Sequence, residues 1–374
     1  MRRVLLPLTV LLAGCPQQVV VLDDAGVGLD ASGSDSGVVD TGVPEQDSGV
    51  AEQDSGIADS GSPTDAGEGP DAGGRPPSFT WTRVSLGTFD RTVYAVWGRS
   101  RGEVYLGTSA GILLRLGGGG LERLWQSPSN FDIVAIWGTP TRMFVADRSN
   151  LYVSDDGFAT PPTAYSVGWS IGGMHGLSDD LVYLVAEQNS SRGLYRFNGT
   201  AVEEVASDLQ VASVNGVLAE PGPQVRIASN GRVVLYDGVG TRDEAADWPP
   251  GWSTATIANF FIYDIEATGA GRFAVGSQGG ILGQEQGTWH FVRDPSGSDD
   301  FETIASVGDT ILAAGEPIGG HPIWWRGPQG WFPDPYAGND VVFDAWFADG
   351  DQVFVVGFPR SSSTGLVLRG DRDP

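Results

Sequence analysis

From Val93 onward, apolar residues come in short runs broken by polar or glycine-bearing turns. Residues 93–125, VYAVWGRSRGEVYLGTSAGILLRLGGGGLERLW, read as three short apolar strands, a glycine-rich turn and a fourth strand. Runs this brief are strands, because a helix needs ten or more residues with a 3.6-residue period. Weaker copies follow to the C-terminus. The first strand of each is anchored on Val96, Ile136, Met174, Val217, Ile265, Ile304 and Ala345, at steps of 40, 38, 43, 48, 39 and 41 residues. A second run follows in most units, at 104–107, 143–146, 182–186, 273–276 and 353–357. A hairpin loop and a third run come next, then a turn rich in Gly, Asp and Asn. The fourth run after that turn often carries an aromatic, as at Trp289 and Trp331.

Units of about 40–50 residues with four strands each are the period of propeller blades. The fold expected is therefore all-β: a seven-bladed β-propeller of four-stranded antiparallel blades over residues 77–374. Its two ends predict how the ring closes. The seventh unit stops after three strands, whereas residues 79–84 form a strand with no unit of their own. Trp81 precedes Trp97 by 16 residues, as Trp289 precedes Ala305, and Trp331 precedes Trp346 by 15. Residues 79–84 thus stand at the offset of a fourth strand, and pairing them with the last unit removes two exposed edges. Trp97, Trp137 and Trp346 form a second recurring class, at the end of the innermost strand. The region resembles the divergent propeller repeats of exported bacterial proteins. Gly107, Gly111, Val275, Gly276, Gly280, Gly287 and Trp289 carry that resemblance, which spans many functions. Ser154-Asp155-Asp156-Gly157 resembles the Asp-box turn of sialidase-like propellers but is one residue short, so it is read as a plain hairpin turn.

The first 76 residues are of another kind. Arg2 and Arg3 precede an apolar run over 4–12, then Ala13, Gly14 and Cys15. That run is about half the ~20 residues a membrane span needs, which makes 1–14 a signal peptide. Leu12-Ala13-Gly14-Cys15 resembles the lipobox of bacterial lipoproteins. The resemblance implies cleavage before Cys15 and diacylglyceryl attachment to its sulfur, with Pro16 directing the product to the outer membrane. Residues 16–76 contain no Trp, Tyr, Phe, Met, His or Cys and repeat Asp, a small residue and Gly from Asp24 to Asp71. Such a segment cannot offset its ordering entropy and is expected to be a disordered acidic tether, 15–76, behind the lipidated cysteine. Its spacing lacks the dense DxDxDG arrangement of a calcium site.

Charge then narrows the partners. The net charge is −25, and residues 77–374 hold 34 acids against 19 Arg, or −15. A surface this acidic repels phosphate backbones, so no nucleic acid is expected. Cys15 is the only cysteine, so no disulfide forms within the chain.

Little in the sequence points to catalysis. There is no Lys, hence no P-loop or Schiff-base lysine, and no GxSxG elbow. His175 occupies the repeat position of Trp97 and Trp137, and His290 follows Trp289 in a strand. His321 lies in a hairpin loop and is the one plausible site histidine. Three scattered His give no zinc spacing, and neither a metal nor a cofactor is expected. Binding needs only a loop face with polar and aromatic groups. The candidates lie where the repeat is broken: Trp248 and Trp252 in the WPPGW turn, and Arg192, Glu316, His321 and Arg360 on the enlarged hairpins 188–192, 316–321 and 359–364. The indoles either stack on a ligand or cap the gap between two blades. The reading is a monomeric, membrane-anchored envelope lipoprotein whose propeller binds a protein or glycan without catalysis. The alternatives are an exported propeller hydrolase or lyase acting on polysaccharide, and an envelope-assembly scaffold.

Overall fold

The computed structural model describes residues 77–297, 299–362 and 364–374. The expectations for the leader, Cys15 and the acidic tether lie outside them. Seven sheets follow one another in chain order, and each strand pairs antiparallel with its predecessor in the blade. Blade 1 holds Val93–Ser100, Glu103–Thr108, Ile112–Gly117 and Gly120–Gln126. Blades 2 to 6 open on Ile133–Gly138, Ser170–Ser178, Val217–Ala219, Ile262–Thr268 and Phe301–Val307. Blade 7 has Asp340–Asp349, Gln352–Pro359 and Leu366–Arg372, and takes Phe79–Arg83 as its outermost strand. The register runs from Phe79 opposite Arg372 to Arg83 opposite Leu368. The first strand of the ring therefore completes its last blade, as the unpaired ends of the sequence predict.

The middle strands are apolar on both faces because each blade lies between two others. Val104–Leu106, Met143–Ala146 and Val182–Ala186 are buried throughout. The core is accordingly divided into seven clusters, one at each seam between blades. Phe144, Leu184, Tyr195 and Phe197, for example, fill the seam between blades 2 and 3. A buried side chain of this size stabilises by about 1.5–3 kcal/mol.

Recurring tryptophans explain how the seams are keyed. At five seams the residue after the anchor reaches the residue two past the anchor of the next blade. A methyl group on Gly98 would lie 2.6 Å from the indole of Trp346, and one on Gly138 2.7 Å from that of Trp97. Gly176 meets Trp137 more closely still. The repeated Trp-Gly pair is thus a wedge and the slot for its neighbour. Where the wedge changes, a hydrogen bond takes over: Ala219 N–H donates to His175 Nδ1 at 3.3 Å, and Ser306 Oγ donates to Glu266 at 3.1 Å. His175 is therefore a seam residue. Burial depresses its pKa to about 4, so it is neutral in the folded ring.

Two features were not foreseen. The 48-residue step before blade 5 contains Ala245–Asp247, which adds a parallel fifth strand to the outer edge of that blade, and a one-turn helix, Thr254–Ala258, capped by Ser253. The same step is locked by a buried ion network. Arg226 lies between Glu220 and Glu244, and Glu244 also accepts from Trp289 Nε1 at 2.8 Å and Gln284 Nε2 at 3.1 Å. Ser154 to Gly157 forms the turn between the third and fourth strands of blade 2, held by Phe158 N–H on Ser154 Oγ at 2.7 Å.

Candidate functional site

Antiparallel alternation sorts the loops onto two faces. The links between blades and the hairpins between second and third strands lie on the face where each innermost strand begins, here called the entry face. The hairpins carrying Arg192, Glu316, His321 and Arg360 all belong to it, but the first two are not the enlarged loops expected: the strands run on to Gln188 and Ile318 and return at Ser191 and His321, so Arg192, Glu316 and His321 lie on strand ends beside two-residue turns, because ladder pairing satisfies the backbone there. The structure brings only some of them together. Arg360 pairs with Glu316 at 2.8 Å and with Asp299 at 3.5 Å, joining the rims of blades 6 and 7. The ring of His321 is bonded at Nδ1 to the Asp334 carbonyl at 2.8 Å. Arg192 stands apart on blade 3, 3.4 Å from Glu187. His290 faces Glu285 on the outer strand of blade 5, at 3.5 Å.

Trp248 and Trp252 stack at 6.0 Å and 11°, each also packed against Phe260 and Phe291. They join the core cluster between blades 4 and 5 while lining a shallow outer groove beside His290 and Asp294. Their position is that of a cap on the seam with its outer surface open.

The innermost strands of all seven blades line a central channel, a cavity of about 420 Å³. Its composition follows from one backbone device. Six innermost strands carry a register shift at the same repeat position, two residues before the anchor. A β-bulge re-aims the extra residue. Here Tyr94, Val134, Gly172, Tyr263, Glu302 and Phe343 are the extra residues, and all line the channel. The result is lopsided. Blades 5 and 6 present Asp264, Glu266 and Glu302, while blades 7, 1 and 2 present Phe343, Tyr94 and the tryptophans Trp346, Trp97 and Trp137. Tyr94 stacks on Phe343 at 5.1 Å. Asp344 is the fourth carboxylate, and among the described residues no arginine lines the wall.

Two of these carboxylates also tie blades together. Asp264 accepts from Ile304 N–H at 3.0 Å and Thr303 Oγ1 at 3.2 Å across the seam to blade 6, and from Ile265 N–H at 2.8 Å. Asp344 repeats this between blades 7 and 1, accepting from Val96 N–H and Ala345 N–H, each at 2.8 Å. Burial raises all four. Asp264 is pushed up to about 6 and Asp344 to about 7 against the pull of their N–H donors. Glu266 rises to about 8, through burial and then the charge of Asp264. Glu302 rises to about 7, through burial and the nearby Asp300 and Glu316. The Tyr263 hydroxyl, bonded to Asp300 at 3.0 Å, is raised by burial and the same acids.

Sequence reasoning passed over these groups. Their one signal was a carboxylate at a repeat position where other units carry Ala, Gly or Trp. Among the described residues, no three His, Cys, Asp or Glu side chains are grouped to hold a metal ion. His175 Nδ1 is occupied by the Ala219 N–H.

No family model matches the chain, and no curated protein matches it in sequence. Solved structures resemble it in fold. YCF48 from Cyanidioschyzon merolae aligns with a TM-score of 0.58 at 15% identity, over 77% of this chain and 98% of that one. YCF48 bound to D1 peptide aligns at 0.59 and 13%, over 80% and 98%. The inactive H270A virginiamycin B lyase of Staphylococcus aureus with quinupristin aligns at 0.63 and 10%, over 79% and 99%. The extracellular domain of the putative one component system BT4673 from B. thetaiotaomicron gives 0.61 and 12%, but this chain spans only 40% of it. At these identities the likeness is one of fold: the chain is a seven-bladed β-propeller.

Proposed function

We propose that the propeller is a noncatalytic binding module that takes up a polypeptide segment across its entry face. The observation that carries this reading is the character of that face. Phe131 and Phe261, 47% and 36% exposed, lie on its blade-to-blade links, around a channel mouth framed by the hairpins. Exposed aromatics beside a concavity mark interaction sites. In the fold neighbour YCF48, a peptide is the bound partner. Arg192, Glu316, His321 and Arg360 stand on hairpins of the same face and frame the segment. The test is selection of peptides from a displayed library on the full chain, followed by affinity measurement. Replacing Phe131 and Phe261 with Ser is expected to weaken the selected peptides at least about tenfold, the loss of roughly one buried aromatic contact. Replacing Val239, on the opposite face, leaves binding unchanged. Equal binding by both variants refutes the reading.

A second reading, a lyase or hydrolase working in the channel, draws support from Glu266, whose raised pKa keeps it protonated at neutral pH and able to donate a proton. Under that reading Glu266→Gln abolishes turnover. Placement at the envelope rests on residues 1–15: metabolic labelling with a tritiated fatty acid, lost in Cys15→Ser, tests the lipid anchor that ties the module to the membrane.

A further inference from the structure

The channel walls differ in a way that identifies what enters them. Glu266 and Glu302 stand on one side with little to satisfy them. Among the described residues, Glu266 receives one hydrogen bond, from Ser306 Oγ at 3.1 Å, and the Glu302 carboxylate receives none. The opposite side is aromatic: Phe343, Tyr94, Trp97 and Trp346. Asp264 and Asp344 add charge without adding capacity, because their oxygens are taken by backbone N–H groups. At the mouth, Arg360 pairs with Asp299 and Glu316, while Asp300 accepts only from neutral donors among the described residues, Tyr263 Oη at 3.0 Å and Gln278 N–H at 2.8 Å.

Carboxylates sunk in a cavity without a cation are costly unless the cation arrives with the ligand. A planar guanidinium meets both walls: its N–H fork suits carboxylates, and its face stacks on aromatic rings. We infer that an arginine side chain of the bound polypeptide enters the channel from the entry face, its guanidinium held between Glu266 and Glu302 and the Phe343–Tyr94 wall. This rests on the polypeptide-binding reading and gives its partner a chemistry. Among the described residues no arginine lines the channel, and burial raises Glu266 and Glu302, so an entering guanidinium supplies the missing positive charge and their protons leave to solvent.

The experiment titrates the full chain with N-acetyl-arginine amide, N-acetyl-lysine amide and the neutral isostere N-acetyl-citrulline amide, followed by calorimetry and by the fluorescence of the channel tryptophans. Arginine is expected to bind at millimolar concentration, with citrulline at least about tenfold weaker, since a hydrogen bond to a charged group contributes about 1.5–3 kcal/mol. Lysine falls between them, lacking the stacking face. The Glu266→Gln and Glu302→Gln double variant keeps its melting temperature at neutral pH, because glutamine is a neutral group of the same shape as the protonated acid it replaces, and loses the preference for arginine. Absent binding of arginine, equal binding of citrulline, or an unchanged preference in the double variant overturns the inference. Peptides selected on the entry face separate the two ideas. If they bind the double variant as tightly as the parent, the arginine pocket falls and the binding module stands. If no peptide depends on Phe131 and Phe261, the binding module itself fails.

Discussion

The closure of the ring can be broken at one carboxylate. Asp334, 1% exposed, is the acceptor that joins the N-terminal strand to blade 6. Its Oδ1 accepts from Trp81 Nε1 at 3.0 Å and Tyr336 N–H at 2.6 Å, and its Oδ2 from Trp325 Nε1 at 2.5 Å. Asp334→Ala leaves three donors without a partner, one of them on the fully buried Trp325. An unsatisfied buried donor costs about 1–3 kcal/mol, and the partly exposed ones recover something from water. The expected loss is about 4 kcal/mol. At about 2 cal/mol/K of unfolding entropy per residue, a ring of this length loses about 6 °C in melting temperature for that change. Asp373→Ala is the control. It removes bonds from Ser78, just before that strand, and Thr80, on it, at 2.5 and 2.7 Å, but in an exposed setting where little stability is at stake. Calorimetric melting gives the magnitude, and hydrogen exchange at residues 79–83 shows whether the strand has loosened. Equal melting temperatures in the two variants, with exchange at 79–83 unaltered, would refute the view that Asp334 holds the closing strand.

Four further outcomes follow from the seams and the channel. Gly138→Ala forces a methyl group against Trp97 and should cost about 1–3 kcal/mol in urea unfolding; with Trp97→Ala added, the two losses are less than additive. Glu266, raised in the folded ring, holds a proton that the unfolded chain releases near its ordinary value of 4.5. Its contribution is present below pH 4.5 and lost as pH rises through about 8, so Glu266→Gln melts higher than the parent at pH 9 and no higher near pH 4.5. His175 acts in the opposite sense, since the unfolded chain takes up a proton near pH 6.5 that the folded ring refuses down to about 4. His175→Gln removes a loss of stability on acidification across that window. Trp248→Ala with Trp252→Ala uncovers Phe260 and Phe291, and the melting temperature is expected to drop by several degrees; unchanged melting with loss of peptide binding would make the indoles a ligand contact.

The blades were legible because their constraints are local and repeated. An apolar run of four to six residues between turns leaves few choices, and the Trp81 offset located the closing strand before any coordinates. Trp97, Trp137 and Trp346 were visible as a class, but their role was not, because the glycine each one needs sits in another unit, about 40 residues on for Trp97 and Trp137 and back in the first unit for Trp346. The channel was hidden for a similar reason. Glu266 occupies a tryptophan position, and Glu302 becomes a channel residue through a bulge, which shifts the alternation of the strand by one without any residue that announces it. Ala245–Asp247 is three residues long and helix Thr254–Ala258 five, both too short to show a period. Glu316 and Arg360 were chosen singly, and only the ring places one against the other.

The wedge-and-slot pairing has a consequence for how such a chain is assembled in evolution. In blades 1 and 2 a single unit of about 40 residues carries both halves of the contact, the wedge for the following blade (Trp97, Trp137) and the slot for the preceding one (Gly98, Gly138). Copying one unit in tandem therefore yields neighbours that already fit, and the series stops growing only when its curvature returns the last wedge, Trp346, to the first slot, Gly98. Later change is confined to one seam at a time, provided both halves change together. His175 with Ala219, and Glu266 with Ser306, are two such seams. The second of them, freed from holding an indole, is where the ring has room for charge.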